Sequence, residues 1–197
     1  IREAHASGCE IKLLAIAQCR DDAHARGVSV RVHPSLVPAA NPLASVHGAF
    51  NAVLIEAESA GRLMFYGQGA GGAPTASAVL SDVVAAAFHR VNGGQAPRES
   101  NYADLPILGP ASAVTRYQVQ LRVDDQPGSL AIVAGVFADN EVSIDSVRQS
   151  AYVGGRDAIV TIVTHPAGVF HLDAAVDALR DEARVPEVVS VRRVEGR

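Results

Sequence analysis

The chain has 197 residues, 48% of them apolar and 5% aromatic, with no tryptophan and a formal net charge of −4. That length holds one or two domains, whose cores must be aliphatic, built from Val, Leu, Ile and Ala. An acidic balance without a basic cluster argues against nucleic acid and against an anionic membrane surface, and no apolar run approaches the roughly 20 residues needed to span a bilayer. Cys9 and Cys19 have neither a signal peptide nor His or Cys companions at metal spacing. Reduced thiols in a cytoplasmic protein are the expectation.

In chain order, Ile1 to Gly8 reads as the end of a helix, with Gly8 as the residue past its C-cap. A helix with no start signal, in a chain with no initiator Met, leads us to expect a fragment of a longer protein. Short apolar runs bounded by Gly, Pro or Asp-Asp predict strands over Glu10–Gln18, Val28–His33, Ala52–Glu58 and Leu63–Tyr66, the first two joined at Asp21–Gly27. His24, His33 and His47 have no i,i+3 or i,i+4 pairing on one element, so they read as loop or solvated histidines, and no metal is expected. Lys12 stands in a strand beside aliphatics and reads as structural.

Residues Tyr66 to Asp82 are the most informative stretch. An apolar strand runs into Gly67, Gly69, Gly71 and Gly72, followed by Pro74, Thr75 and a helix expected over Ala76–Val91. Glycines permit close approach of backbone to a ligand, and the free N–H groups of a first helical turn suit a phosphate. The spacing Gly67-x-Gly69-x-x-Gly72 fits the dinucleotide-binding pattern, but no second strand ending in an acidic residue follows about 20 residues on. The loop is therefore not the founding turn of a Rossmann domain. Two readings stay open: a loop that touches a nucleotide, or a tight strand-to-helix connection.

From Asn92 to Thr115 prolines and glycines without periodicity mark a linker, although Tyr102, Leu105, Ile107 and Leu108 suggest that part of it packs. Downstream, Tyr117–Val123 alternates as a half-buried strand, and Ser129–Asp139 is a helix with Leu130, Val133, Ala134 and Phe137 on one face. Ser143–Ala151 and Asp157–Thr164 are strands joined by a turn at Gly154-Gly155. Val169–Ala183 is a helix with Leu172, Val176 and Leu179 inward, and Val188–Val194 closes the set. The order βαββαβ predicts a ferredoxin-like split βαβ sandwich. The expected fold class is α+β: a partial β-rich domain over 1–91, a linker over 92–115, and the ferredoxin-like domain over 116–197.

The segments Ile11–Ala17, Val28–Pro34, Pro42–Val53, Leu63–Gly67 and the Gly67–Asp82 block resemble successive pieces of the homoserine dehydrogenase family, in its actinobacterial type. The resemblance covers essentially every residue. It implies an NAD- or NADP-dependent oxidoreductase acting on aspartate semialdehyde and homoserine. Within that family Gly67, Gly69, Ala70, Gly71, Gly72 and Thr75 would form a cofactor-contacting loop. The catalytic lysine, its acidic partner and the Rossmann domain would precede Ile1, so this chain carries no catalytic residue and is expected to be inactive alone.

Asp124 to Leu130 followed by Asp139 to Ile144 resembles an ACT domain, a small amino-acid-sensing module. The resemblance implies effector-binding residues Asp125, Gln126, Pro127, Gly128, Ser129, Leu130 and Asn140, with the amides of Gly128, Ser129 and Leu130 holding a carboxylate at a helix N-terminus. Threonine is the effector expected on family grounds, and ACT domains are expected to pair into a homodimer. Against these stand a plain turn with Asn140 as a helix cap, and a stand-alone regulatory protein without catalysis.

Overall fold

The computed structural model describes residues 2–21, 26–94, 104–151 and 157–196. The chain divides into two compact units, one formed by residues 1–39 and 105–197 and the other by residues 40–104.

The larger unit opens with α1 (Arg2–Ala6), which stops as expected. Gly8 takes φ 68° and donates its N–H to the His5 carbonyl, 2.9 Å away. Strands β1 (Cys9–Asp21) and β2 (Arg26–Pro38) then pair antiparallel along their whole length. After residue 104 come β5 (Ile107–Leu108), β6 (Val114–Asp124), α3 (Ser129–Asp139), β7 (Ile144–Ala151), β8 (Asp157–Thr164), β9 (Ala167–Gly168), α4 (Val169–Arg180) and β10 (Glu187–Val194). The predicted turn at Gly154-Gly155 lies outside the described residues.

The main sheet has the order β1-β2-β10-β6-β8-β7. The last four strands, taken with α3 and α4, are the expected βαββαβ sandwich. Alternation along β6 and β8 decides which face is buried: Val119, Leu121 and Val123 pair with Ile162, Val160 and Ala158 under the helices, and Tyr117 joins the same core. Phe137 and Val133 from α3, and Leu172, Ala175, Val176 and Leu179 from α4, complete that core. Each fully buried Val, Leu, Ile or Phe among them contributes about 1.5–3 kcal/mol. Leu130, expected on the same face, is instead 41% exposed.

Two features depart from the sequence-based partition. The hairpin β1–β2 continues the ferredoxin-like sheet past β10, with Leu36 opposite Val194 in parallel pairing. Ala4, Leu36, Val194 and Cys9 make a second small cluster there. The stretch expected to be a linker also donates Ile107–Leu108 as a strand beside β2, and Gly27 is required because a Cβ would strike the Pro106 carbonyl. The compact units divide the chain near residues 39 and 105.

The smaller unit contains the antiparallel hairpin β3 (Phe50–Ala57) and β4 (Gly61–Gln68), then α2 (Gly72–Asn92). Phe50 and Tyr66, diagonal neighbours on one face, stack with centroids 4.8 Å apart. Gly93 closes α2 with φ 71° in the left-handed region. No residue of α2 is buried, and Val79, Leu80, Val83, Val84, Phe88 and Val91 form an exposed apolar stripe at helical spacing.

Candidate functional sites

The glycine loop of the smaller unit is more tightly built than its sequence suggests. β4 runs on through Gly67 and Gln68, and Gly69 donates its N–H to the Ala49 carbonyl at 3.1 Å. A Cβ on Gly69 would overlap the Asn51 side-chain amide, so glycine there is dictated by Asn51. Gly71 takes φ 130° at the N-cap, and α2 starts at Gly72, four residues earlier than expected. Pro74 falls in the first turn, where its missing N–H leaves nothing unpaired. Thr75 already donates its N–H to the Gly71 carbonyl at 3.1 Å, so its amide belongs to the helix. The amides of Gly72 and Ala73 remain at a helix start that has no side-chain cap. Around Gly67 and Gly72 a Cβ would meet nothing within 4 Å. Backbone accessible at two glycines, beside an uncapped helix N-terminus, fits a phosphate-bearing ligand. Asn51, which sequence reasoning did not single out, belongs to this loop through Gly69, and no local signal marks it because the contact crosses the hairpin.

The second site lies at the β6–α3 turn of the larger unit. Gly128 takes φ 91°, a conformation that favours glycine, and serves as N-cap of α3. Ser129 spends its N–H on the Gln126 carbonyl at 3.2 Å, and Gln126 donates to the Asp124 carbonyl at 2.8 Å. The expected triple of amides is therefore reduced to Gly128 and Leu130. Asp125 is held by Gln149 Nε2 of β7 at 3.1 Å. Arg184, after α4, donates through Nη1 to the Pro127 carbonyl at 3.1 Å and lies 3.6 Å from where a Gly128 Cβ would stand. This cation sits more than 50 residues downstream, and only tertiary folding brings it to the turn.

Asn140 does not join that turn. It caps the opposite end of α3, where Nδ2 donates to the Val136 carbonyl at 2.8 Å and its own carbonyl faces His171 Nδ1 at 3.3 Å. Eleven helical residues separate the two ends by about 16 Å. A separate cavity of about 330 Å³ lies there, lined by Asp139, Asn140, Glu141, Phe170, His171 and Ala174. Its two acids make it a poor host for a carboxylate. No cluster of metal-ligating side chains occurs among the described residues, and none of their helices is long and apolar enough to cross a membrane.

The chain thus carries a four-stranded βαββαβ arrangement with a Pro-Gly turn opening its first helix, preceded in sequence by a strand–glycine loop–helix unit. Comparison with known proteins bears on both parts. Residues 1–84 match the homoserine dehydrogenase family model and residues 117–184 match the ACT domain model. A homoserine dehydrogenase from Mycobacterium tuberculosis H37Rv is 55% identical over 98% of this chain, and one from Corynebacterium glutamicum is 46% identical over 99% of it. A homoserine dehydrogenase structure from Thiobacillus denitrificans superposes with TM-score 0.83 at 33% identity, covering 99% of this chain and 44% of that one. Residues 1–84 are therefore a segment of the homoserine dehydrogenase family, and residues 117–184 an ACT domain. It spans 45% and 44% of the length of those two curated relatives.

Proposed function

We propose that this chain is part of an NAD(P)-dependent homoserine dehydrogenase of the cytoplasm, which interconverts aspartate semialdehyde and homoserine in the route to threonine, methionine and isoleucine. The observation that carries this reading is identity of 55% to a homoserine dehydrogenase sustained across 98% of the chain. The loop Gly67, Gly69, Ala70, Gly71, Gly72 and Thr75 supports it as the element that approaches the cofactor. Gly67 and Gly72 would admit the phosphates to the backbone, Gly69 and Asn51 would hold the loop's shape, and Gly72 and Ala73 would donate amides to the anion. The nicotinamide cofactor supplies the hydride chemistry when bound. The exposed apolar stripe of α2 is the face that a cofactor domain would cover.

The ACT domain is proposed to bind an amino-acid effector, threonine, at the β6–α3 turn. Its carboxylate would meet the amides of Gly128 and Leu130 and the Arg184 guanidinium, and Asp125 would face the ammonium. Gln126, Pro127 and Ser129 shape the turn, and Asn140 is assigned to capping. β7 is the outer strand of the sheet and is exposed along nearly its whole length, an edge that a second copy could extend into a homodimer.

The test is an assay of the full gene product with homoserine and NAD⁺ or NADP⁺, in wild type and in Gly72→Val. Val at Gly72 meets no neighbour, so the fold should persist while the cofactor KM rises; Gly69→Val would instead displace Asn51. Absence of homoserine oxidation by the wild type sinks the reading. An unchanged cofactor KM in Gly72→Val leaves the loop as a structural turn.

A further inference from the structure

β7 is the outer strand of the main sheet and pairs with β8 along one side, with an irregularity between Ile144 and Ser146. Arg148 and Gln149 stand next to each other on it and point to opposite faces, as successive residues of a strand do. Gln149 lies opposite Val160, on the side of the buried core, and its Nε2 donates to Asp125 Oδ1 at 3.1 Å. Arg148 lies opposite Thr161, and its Nη1 donates to the Ala6 carbonyl at 2.7 Å. The first bond ends in the β6–α3 turn. The second ends in the dehydrogenase-family segment, 142 residues away in sequence.

Ala6 is the last residue of α1, and the final carbonyls of a helix have no partner inside it. The Ala4 and His5 carbonyls accept from the Ser7 and Gly8 amides at 3.0 and 2.9 Å. The Ala6 carbonyl is taken by Arg148, so a strand of the ACT domain caps a helix of the dehydrogenase-family segment. That helix is anchored in turn to the first hairpin. Ala4 is 1% exposed and packs with Leu36, Val194 and Cys9, and the Gly8 carbonyl accepts from the Ala39 amide at 2.9 Å, just past the end of β2. Polar and apolar contacts therefore run without a break from Asp125 through β7 and α1 to β1 and β2.

The device rests on the effector reading given above, in which Asp125 faces the ammonium of an amino acid. Asp125 accepts here from a neutral amide, Gln149. An ammonium is the better donor for the same carboxylate, because charge-assisted hydrogen bonds are roughly twice as strong as neutral ones. Occupancy of the turn thus competes with the tie between the turn and β7. A strand with a ladder on one side and nearly all its side chains exposed moves at a lower free energy than a core strand. We infer that β7 couples the effector turn to the dehydrogenase-family segment, Gln149 reading the turn and Arg148 carrying the movement of β7 to the end of α1. Both act as positioning residues, and neither touches substrate.

The test uses the full gene product in wild type, Arg148→Ala, Arg148→Lys and Gln149→Ala. Arg180→Ala is the control, since Arg180 pairs with Asp177 inside α4, away from this path. L-Threonine is the probe, titrated by calorimetry and in the homoserine oxidation assay. Wild type should bind threonine and be inhibited by it. Arg148→Ala should keep both its threonine affinity and its activity without threonine, yet need about tenfold more threonine for half-inhibition, the size of a typical coupling between sites. Arg148→Lys, which keeps a cationic donor, should fall between the two. Gln149→Ala removes the competitor for Asp125 and should bind threonine more tightly than wild type. Undiminished inhibition in Arg148→Ala overturns the inference, as does a loss of threonine binding in that variant or an equal loss of inhibition in Arg180→Ala. Threonine that binds wild type without inhibiting it overturns the coupling and leaves the effector site standing. Absence of threonine binding by wild type overturns the effector reading and the coupling together.

Discussion

The two compact units spend similar sequence material in opposite ways. In the larger, alternating strands and two amphipathic helices close on each other, and Phe137, Leu121, Ile162, Leu172 and Leu179 are at most 1% exposed. In the smaller, the hairpin and α2 are equally well patterned, yet Phe65 is 62% and Phe88 64% exposed, and α2 buries nothing. An amphipathic pattern is a promise of a partner surface, and the partner need not lie in the same unit. Local geometry in the smaller unit is set by hydrogen bonds and glycines; in the larger it is set by a core.

The sharpest way to break this contrast is to truncate one phenylalanine in each unit. Phe137→Ala should destabilise the larger unit by about 3–5 kcal/mol in urea unfolding, the usual cost of emptying a phenylalanine site in a core. Phe88→Ala should change stability by less than about 0.5 kcal/mol. A comparable loss at Phe88 would mean that α2 is packed, and the contrast would fail.

Glycines sharpen it next. Gly128→Ala forces a Cβ into φ 91° and should cost about 1–2 kcal/mol. Gly72→Ala sits at an ordinary helix start with no neighbour within 4 Å and should stabilise α2 by about 0.4–1 kcal/mol, read as thermal melting of helix signal.

A smaller effect concerns acid. Desolvation lowers the folded-state pKa of His33 from the ordinary 6.5, opposed by Pro34 and Glu195 and assisted by Arg193 and Arg31. Between the folded and unfolded values the unfolded chain holds the extra proton. The folded state is therefore favoured above 6.5 and loses that advantage as pH falls toward the lowered value. Unfolding titrations on the acid side of neutrality should show this slope, and His33→Asn should flatten it. The smallest effect is chemical. Burial raises the Cys9 thiol pKa, with Arg116 pulling the other way, whereas Cys19 is exposed. Cys19 should react with a maleimide faster than Cys9 at mildly alkaline pH, as mass spectrometry of the labelled peptides would show.

Much of the fold could be read from local pattern. The helix Ser129–Asp139 and the strand Asp157–Thr164 run as expected from periodicity, and Gly8, Gly93 and Gly128 sit where chain direction changes at positive φ. The ferredoxin-like order follows from the alternation of periods 2 and 3.6, which the chain carries residue by residue. The Gly67–Thr75 loop and the Pro127-Gly128 turn were visible as well, because special backbone geometry selects special residues.

Pairings between distant segments were decided by tertiary structure alone. Nothing near Leu36 foretells Val194, yet that contact attaches the first hairpin to the ferredoxin-like sheet within the larger unit. Arg184 reaches Pro127, Asn51 explains Gly69, and Asn140 is separated from Gly128 by the length of α3. Tyr117 lies opposite Arg193 only because β6 and β10 pair. Sequence determines local geometry through sterics and hydrogen bonding over a few residues. Which distant side chains share a cavity depends on how the packed core orients whole elements, and that orientation belongs to no single segment.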